Sequence, residues 1–257
     1  MPIKIATWNV NSLRVRMPHL LTWIAEDQPD IIALQETKTE NKNFPINELV
    51  ETGYQLAFNG QKTYNGVAIL SRQSITDIEI GFPTFEDSQA RVLAATINDI
   101  RVINLYVPNG SSVGSDKYIY KLDWLAHLDK YIKQQLAKYS NLIALGDFNI
   151  APEDRDVHDP KLWEGNVLVS PAERAALRAI MSNGLHDTFR IFNEEPGHYS
   201  WWDYRAAGFR RNLGLRIDHL LISENLKKRC QECFINKTPR TWERPSDHTP
   251  VVAIFHP

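Results

Sequence analysis

Leu142-Ile143-Ala144-Leu145-Gly146-Asp147-Phe148-Asn149 is an apolar run followed by a glycine, a carboxylate, an aromatic ring and a carboxamide. Entered from a polar segment, the run predicts a buried strand that delivers its last residues to the rim of a sheet. Asp147 and Asn149 are two apart, so extended backbone would send both to one face and Phe148 to the other, into packing. The preceding segment predicts a helix packed on that sheet, with Leu122, Leu125, Leu128, Ile132 and Leu136 on one face and Lys and Gln on the other.

Toward the N-terminus the same grammar recurs. Lys4–Asn11 predicts a first strand ending in two amides on one side, Asn9 and Asn11. Leu13, Met17, Leu20, Leu21 and Ile24 fall at helical spacing before the Gln28-Pro29 break. Asp30–Glu36 predicts a second strand that is apolar until Gln35 and then presents an acid. A short helix is expected within Phe44–Thr52. Strand candidates follow at Tyr54–Phe58, Gly66–Ser71, Ile75–Ile80, Val92–Ile97 and Arg101–Val107, separated by turn signals such as Asn59-Gly60. Strands in succession without helices between them imply antiparallel meanders, the last ending at Tyr106.

Beyond Asn149, Pro152–Val169 is polar and irregular and predicts a long surface loop containing His158 and Trp163. Ser170-Pro171-Ala172-Glu173 has capping-box spacing with proline at the first helical position, and Gly184 supplies the stop. His198–Arg205 is aromatic-rich, Gly214–Ile222 predicts one strand carrying Asp218, and Pro245–Pro250 precedes a closing strand, Val251–Phe255. No repeat or linker breaks the 257 residues, so a single domain over 1–257 is expected.

Composition narrows the function classes. Hydrophobic content of 43% with 7 Trp, 9 Tyr and 10 Phe excludes disorder, and a net charge of −2 does not by itself announce a polyanionic partner. Charge is uneven, however: Trp201–Arg244 carries an excess of Lys and Arg over Asp and Glu that predicts a local basic patch. No secretory leader or membrane-length apolar stretch is evident, so a soluble intracellular protein is expected. Cys230 and Cys233 lie outside any strand-to-helix elbow and have no second pair, so they are expected to be structural thiols.

Polar residues at strand rims number Asn9, Glu36, Tyr106, Asp147, Asn149, Asp218, Asp247 and His248. An oxygen-rich cluster suits a hard divalent cation, which can polarise a phosphoryl oxygen. An acid bonded to one nitrogen of His248 would leave the other nitrogen for a phosphate.

Six blocks in order resemble the exonuclease III, abasic-site endonuclease branch of the endonuclease/exonuclease/phosphatase superfamily. They are Trp8-Asn9-Val10-Asn11, Gln35-Glu36, Tyr64-Asn65-Gly66-Val67-Ala68, Gly146-Asp147-Phe148-Asn149, Gly214-Leu215-Arg216-Ile217-Asp218 and Pro245-Ser246-Asp247-His248. The resemblance implies a four-layered α/β sandwich, with two mixed, mainly antiparallel sheets face to face and helices outside. It implies Mg2+, with Mn2+ as a substitute, held by Glu36 with Asn9 and Asp247 close by. It implies Asp147 as the acid that orients and deprotonates the attacking water, Asn149 as its amide partner, Asp218 with His248 as the acid–imidazole pair on the phosphate, and Tyr106 near the leaving group. Asn109 and Asn166 match positions that grip the DNA backbone, and Trp201, Leu215 and Ile217 match the pocket for a base-less sugar.

The implied activity is hydrolysis of the phosphodiester 5′ to abasic sites, together with 3′–5′ exonuclease and 3′-phosphatase or phosphodiesterase action on duplex DNA. Abasic or 3′-blocked duplexes are thus the implied partner, for a protein expected to be a cytoplasmic monomer, nucleoid-associated if bacterial. Asn11 departs from the pattern, standing where some relatives place Asp, which would leave the ion more weakly held. The loop over 154–169 is variable among members and is expected to set the balance between abasic incision and 3′-end processing. Two alternatives stand beside this: a 3′-end-processing exonuclease with little abasic activity, and a phosphoesterase of inositol or sphingolipid substrates.

Overall fold

Strands that are apolar at nearly every position need cover on both faces. In the computed structural model, which describes residues 2–257, each of two sheets has that cover. In chain order the strands are β1 (Ile3–Asn9), β2 (Ile31–Gln35), β3 (Gln55–Asn59), β4 (Val67–Ser71), β5 (Ile75–Ile80), β6 (Val92–Ile97) and β7 (Ile100–Tyr106). There follow β8 (Leu142–Asp147), β9 (Leu185–Asp187), β10 (Trp201–Trp202), β11 (Gly214–Leu215), β12 (Asp218–Ser223), β13 (Cys230–Ile235) and β14 (Val251–Phe255). The helices are α1 (Leu13–Asp27), α2 (Ile46–Val50), α3 (Asp116–Lys138), α4 (Pro160–Trp163), α5 (Pro171–Ser182), α6 (Thr188–Phe192) and α7 (Glu224–Arg229).

One sheet has the order β13-β14-β1-β2-β4-β3 and the other β5-β6-β7-β8-β12-β9. Only β1 with β2 and β7 with β8 run parallel within them, so both sheets are mixed and mainly antiparallel. Side chains alternate between two cores. On β8, Ile143 and Leu145 point between the sheets, while Leu142 and Ala144 face α3 and α5. On β2, Ala33 points between the sheets while Ile32 and Leu34 face Leu20, Trp23 and Ile24 of α1. The result is the four-layered sandwich, helices outside and sheets within.

Topology brings the polar strand ends together. The parallel strands β1, β2, β7 and β8 finish at Asn9, Gln35, Tyr106 and Asp147, while β12 begins there at Asp218. A polar stitch fixes one sheet against the other just beneath this rim. The Asn104 carboxamide on β7 donates across the sandwich to the carbonyls of Leu34 at 2.9 Å and Ala68 at 2.8 Å, and accepts from Gln35 Nε2 at 2.8 Å. With its donors and acceptor occupied, this buried amide orders the interface where Glu36 and Tyr106 must meet.

Three stretches depart from the sequence expectation. The predicted strand over 214–222 is two, broken at Arg216 and Ile217, because β11 pairs with β10 while β12 pairs with β8. Cys230–Ile235, not expected as a strand, is β13, a sheet edge whose residues are mostly half-exposed or exposed. Cys230 and Cys233 on it are free thiols, the second buried in the core between the sheets. The loop over 152–169 contains a 3-10 turn at Asp154–Asp156 as well as α4. The capping box at Ser170 and Glu173 is present at the start of α5.

Gly146 shows how closely β7 and β8 approach. Its φ is 147°, and a Cβ there would fall 1.9 Å from the Leu105 carbonyl oxygen. Gly146→Ala is expected to destabilise the protein by about 2–3 kcal/mol through forced overpacking. A Tm lowered by roughly 5–10 °C in thermal unfolding would follow, and an unchanged Tm would refute the close approach.

Candidate active site

The strand ends are shaped by reversals that hydrophobic periodicity does not encode. Asn11, Glu36 and Asn149 have φ of 43°, 50° and 50°, so each sits in left-handed backbone just past its strand. The Asn11 amide donates to Asn9 Oδ1 at 3.0 Å, and the Asn149 amide donates to Asp147 Oδ1 at 2.9 Å. These are side-chain turns of the Asx type. They correct the expectation that Asp147 with Asn149, and Asn9 with Asn11, share a face by strand alternation. The pairs converge because the chain turns back on itself, and Asn149 Nδ2 then reaches Asp147 Oδ2 at 3.3 Å.

Three residues converge from both sheets: Glu36, Asp147 and His248 offer ligand atoms that all lie within 4.8 Å of one another. Asn9 Nδ2 bridges the two acids, donating to Glu36 Oε1 at 2.8 Å and Asp147 Oδ2 at 2.9 Å. Burial pushes the Glu36 carboxyl up, but Lys38 and the Asn9 hydrogen bond outweigh it, leaving Glu36 below the usual carboxylate range. Asp147 is 1% exposed, and burial raises it to about 7 against the opposing pull of His248.

His248 Nδ1 lies 2.9 Å from Asp218 Oδ2, and Nε2 lies 3.6 Å from Asp147 Oδ2. Burial would lower its pKa, but the Asp218 and Asp147 carboxylates raise it to about 10, so the ring is an imidazolium at neutral pH. Ser200, which sequence reading passed over, donates to Asp218 Oδ2 at 2.6 Å and accepts from the amides of Ile217 and Asp218, each at 3.1 Å. Tyr106 lies below Arg91, whose guanidinium is 4.8 Å from the ring centre. Burial, reinforced by Glu36 and Asp147, pushes its phenol well up, so Tyr106 stays a neutral O–H donor.

Asn109 joins the group, its Nδ2 donating to Asn149 Oδ1 at 3.1 Å. Beside it opens a cavity of about 460 Å3 lined by His158, Leu162, Trp163, Asn166, Val167 and Trp201 among others. Asn166 is at its exposed wall, donating to the Leu162 carbonyl at 3.2 Å. Leu215 and Ile217 are 0% and 1% exposed and pack beneath Trp201, so they support this cavity and do not line it.

The arrangement has close counterparts. A model of the endonuclease/exonuclease/phosphatase family matches residues 6–248. The chain belongs to this family. It is 39% identical to exodeoxyribonuclease III of Haemophilus influenzae over 98% of this chain and 100% of that protein. Among solved structures, the 3′ phosphatase NExo from Neisseria, bound to a product DNA hairpin, is 43% identical with a TM-score of 0.98, covering 99% of each chain. An AP endonuclease from Archaeoglobus fulgidus is 39% identical with a TM-score of 0.96, covering 99% of this chain and 100% of that one.

The family is divalent-metal dependent, and the donor set here fits such an ion in part as the sequence implied. Glu36 and Asp147 are hard oxygen donors. The two other residues implied as close to the metal are placed differently. Asn9 presents N–H groups to both acids and so orients them. Asp247 stands outside the cluster, its Oδ1 accepting from Asn11 Nδ2 at 2.9 Å and its Oδ2 from Trp201 Nε1 at 3.0 Å. Lys38 is the residue that sequence reading missed: Nζ lies 2.8 Å from Glu36 Oε2 and 2.6 Å from Asn11 Oδ1. A cation two residues after the acid was its only signal.

The basic patch is smaller than composition implied. Arg216 and Arg240 are buried, and Lys227–Arg229 lie on α7, beyond the far end of β12. Arg205, Arg210, Arg211 and Arg244 remain exposed in the segments flanking Trp201 and Pro245. No helix among the described residues is long and apolar enough to cross a membrane.

Proposed function

We propose that this chain is a DNA repair nuclease that hydrolyses the phosphodiester 5′ to abasic sites and processes 3′ ends of duplex DNA, with the whole chain acting as one unit. The observation that carries the reading is the facing of Asp147 and His248 at 3.6 Å, with Asn149 behind the acid and Asp218 behind the imidazole. A buried carboxylate and a fixed imidazolium are what attack by water on a phosphodiester requires: a base for the nucleophile and a donor for the phosphoryl oxygen.

In this reading Asp147 orients the water and takes its proton as the oxygen attacks phosphorus. His248 Nε2–H donates to a non-bridging oxygen while Asp218 holds the ring by Nδ1. The P–O3′ bond breaks, leaving a 3′-hydroxyl and a 5′-deoxyribose phosphate. Tyr106, as a neutral phenol, donates near the phosphate and leaving oxygen, and Asn109 holds the backbone beside it. Glu36 would hold Mg2+, which supplies charge neutralisation at the phosphoryl and leaving oxygens. The aromatic cavity beside Trp201 suits a base-less sugar, because an unpaired, unstacked residue is the cheapest to flip.

A second reading, 3′-end processing with little abasic incision, is supported by the 43% identity to the Neisseria 3′ phosphatase, and its expected determinant is the loop that sets His158 and Trp163 at the cavity. Trp163 lies 6.3 Å from His158 and 6.5 Å from Trp201, ring centre to ring centre. The test uses a duplex with one synthetic abasic site beside an intact duplex with a 3′-phosphate or recessed 3′ end. Mg2+-dependent, EDTA-sensitive turnover is expected, restored by Mn2+, and Glu36→Gln is expected to lower it by about 100-fold or more. Incision at the abasic site supports the first reading, and 3′ processing alone supports the second. Silence on both substrates sinks the nuclease assignment and favours a phosphoesterase of another substrate class.

A further inference from the structure

A lysine with no exposed surface stands behind the two amides of the site. Lys121 on α3 and Glu173 on α5 are each 0% exposed and pair at 2.5 Å. The aliphatic stem of Lys121 runs beneath Gly110, where φ is 93° and a Cβ would come 3.1 Å from Lys121 Cδ. An ammonium has three donors and no acceptor. Each is used: Glu173 Oε1 at 2.5 Å, the Asn149 carbonyl at 2.7 Å and the Asn109 carbonyl at 3.1 Å.

Glu173 is equally committed. Its Oε1 also accepts from the Leu168 amide at 3.0 Å, and Oε2 accepts from the Ser170 amide at 3.1 Å and Ser170 Oγ at 2.6 Å. One buried pair therefore ties together the segment after β7, the turn after β8 and the end of the loop over 152–169.

Stability alone is a poor reason for such a pair. Well-packed apolar residues of similar volume usually serve as well or better, since two charges must be desolvated. An apolar pair cannot, however, fix two carbonyls. Asn149 sits at φ 50° with its carbonyl on Lys121, its amide on Asp147 and its side chain between Asp147 and Asn109. Small rotations of that turn would swing the side chain that holds the candidate base.

We propose that Lys121, braced by Glu173, is a positioning residue for phosphodiester hydrolysis: it sets the backbone from which Asn149, held by Asn109, reaches the Asp147 carboxylate. It touches no reacting atom, and the role rests on the nuclease reading above.

The test is the double variant Lys121→Met/Glu173→Met, which removes both charges and keeps the volume. Thermal stability is expected to fall, because the Leu168 and Ser170 amides and the Asn109 and Asn149 carbonyls lose partners. Activity is therefore read well below the variant's Tm, where kcat on the cleavable duplex falls about 10- to 100-fold with KM within a factor of about three, as misplacement of a catalytic group predicts. Amide exchange at Asn149 should quicken. Lys121→Gln/Glu173→Gln, which retains uncharged donors, covers failure of the apolar pair to fold and is expected to lose less, about 3- to 10-fold in kcat. Wild-type kcat and wild-type Asn149 exchange in a folded variant would overturn the proposal. A wild type inactive on both substrates would sink the nuclease reading alone, and the exchange at Asn149 would still decide whether the pair holds the turn.

Discussion

Asp147→Asn is expected to lower the rate of phosphodiester hydrolysis by about 10³-fold while leaving fold and DNA affinity intact. The substitution keeps the shape of the side chain, and its carbonyl oxygen can still accept from the Asn149 amide, which lies 2.9 Å from Asp147 Oδ1. What it removes is basicity at the point facing His248. Burial holds Asp147 at about 7, close to the operating pH, where a general base is both available and strong enough to take a proton. Loss of a negative charge from a site that receives a phosphate should leave Kd unchanged or tighter. Single-turnover rates and fluorescence anisotropy on one abasic duplex separate the two effects. A variant that retains more than about a tenth of the wild-type rate would remove Asp147 from the role of base.

Much of this site was legible in the sequence for a physical reason. Both faces of each sheet are covered, so strands such as Ile143–Leu145 and Ile31–Leu34 are unbroken apolar runs, and the polar residues just past each run mark the rim. Asp147 and Glu36 stand out in that way, and Tyr106 and Asn9 as the ends of strands that carry polar residues within them. What was not legible depends on backbone reversal or on packing between distant segments. The left-handed residues Asn11, Glu36 and Asn149 carry no periodic signal. Lys121 looks like one more lysine on an amphipathic helix until Glu173, far along the chain, closes over it. Edge strand β13 escaped because its Gln231 and Glu232 are exposed, so it lacks the apolar continuity of the inner strands.

Arg216 shows the same dependence on distant partners, and Arg216→Met is expected to destabilise the protein by about 3–5 kcal/mol at pH 7. Its guanidinium is 1% exposed, with Nε 2.6 Å from Asp156 Oδ1 and Nη2 2.7 Å from Asp187 Oδ2. Arg190 Nη2 also meets Asp156 Oδ1 at 2.5 Å, so Asp187 is the acid left without a strong partner in the variant. Burial alone would raise both acids, but Arg216 outweighs it and holds each below the usual carboxylate range. The sign for wild type follows: this stabilisation is complete above the unfolded carboxylate pKa of about 4 and is lost as pH falls through the depressed folded values. In the variant the buried Asp187 is raised instead and takes up a proton on folding. Its stability therefore recovers as pH falls from 7 toward 4, and the gap to wild type narrows. Urea unfolding of both proteins at pH 7, 5 and 4 measures this, and a gap independent of pH would contradict it. Because Arg216 lies between Leu215 and Ile217, two residues before Asp218, the same substitution should loosen both the floor of the aromatic cavity and the acid that holds His248.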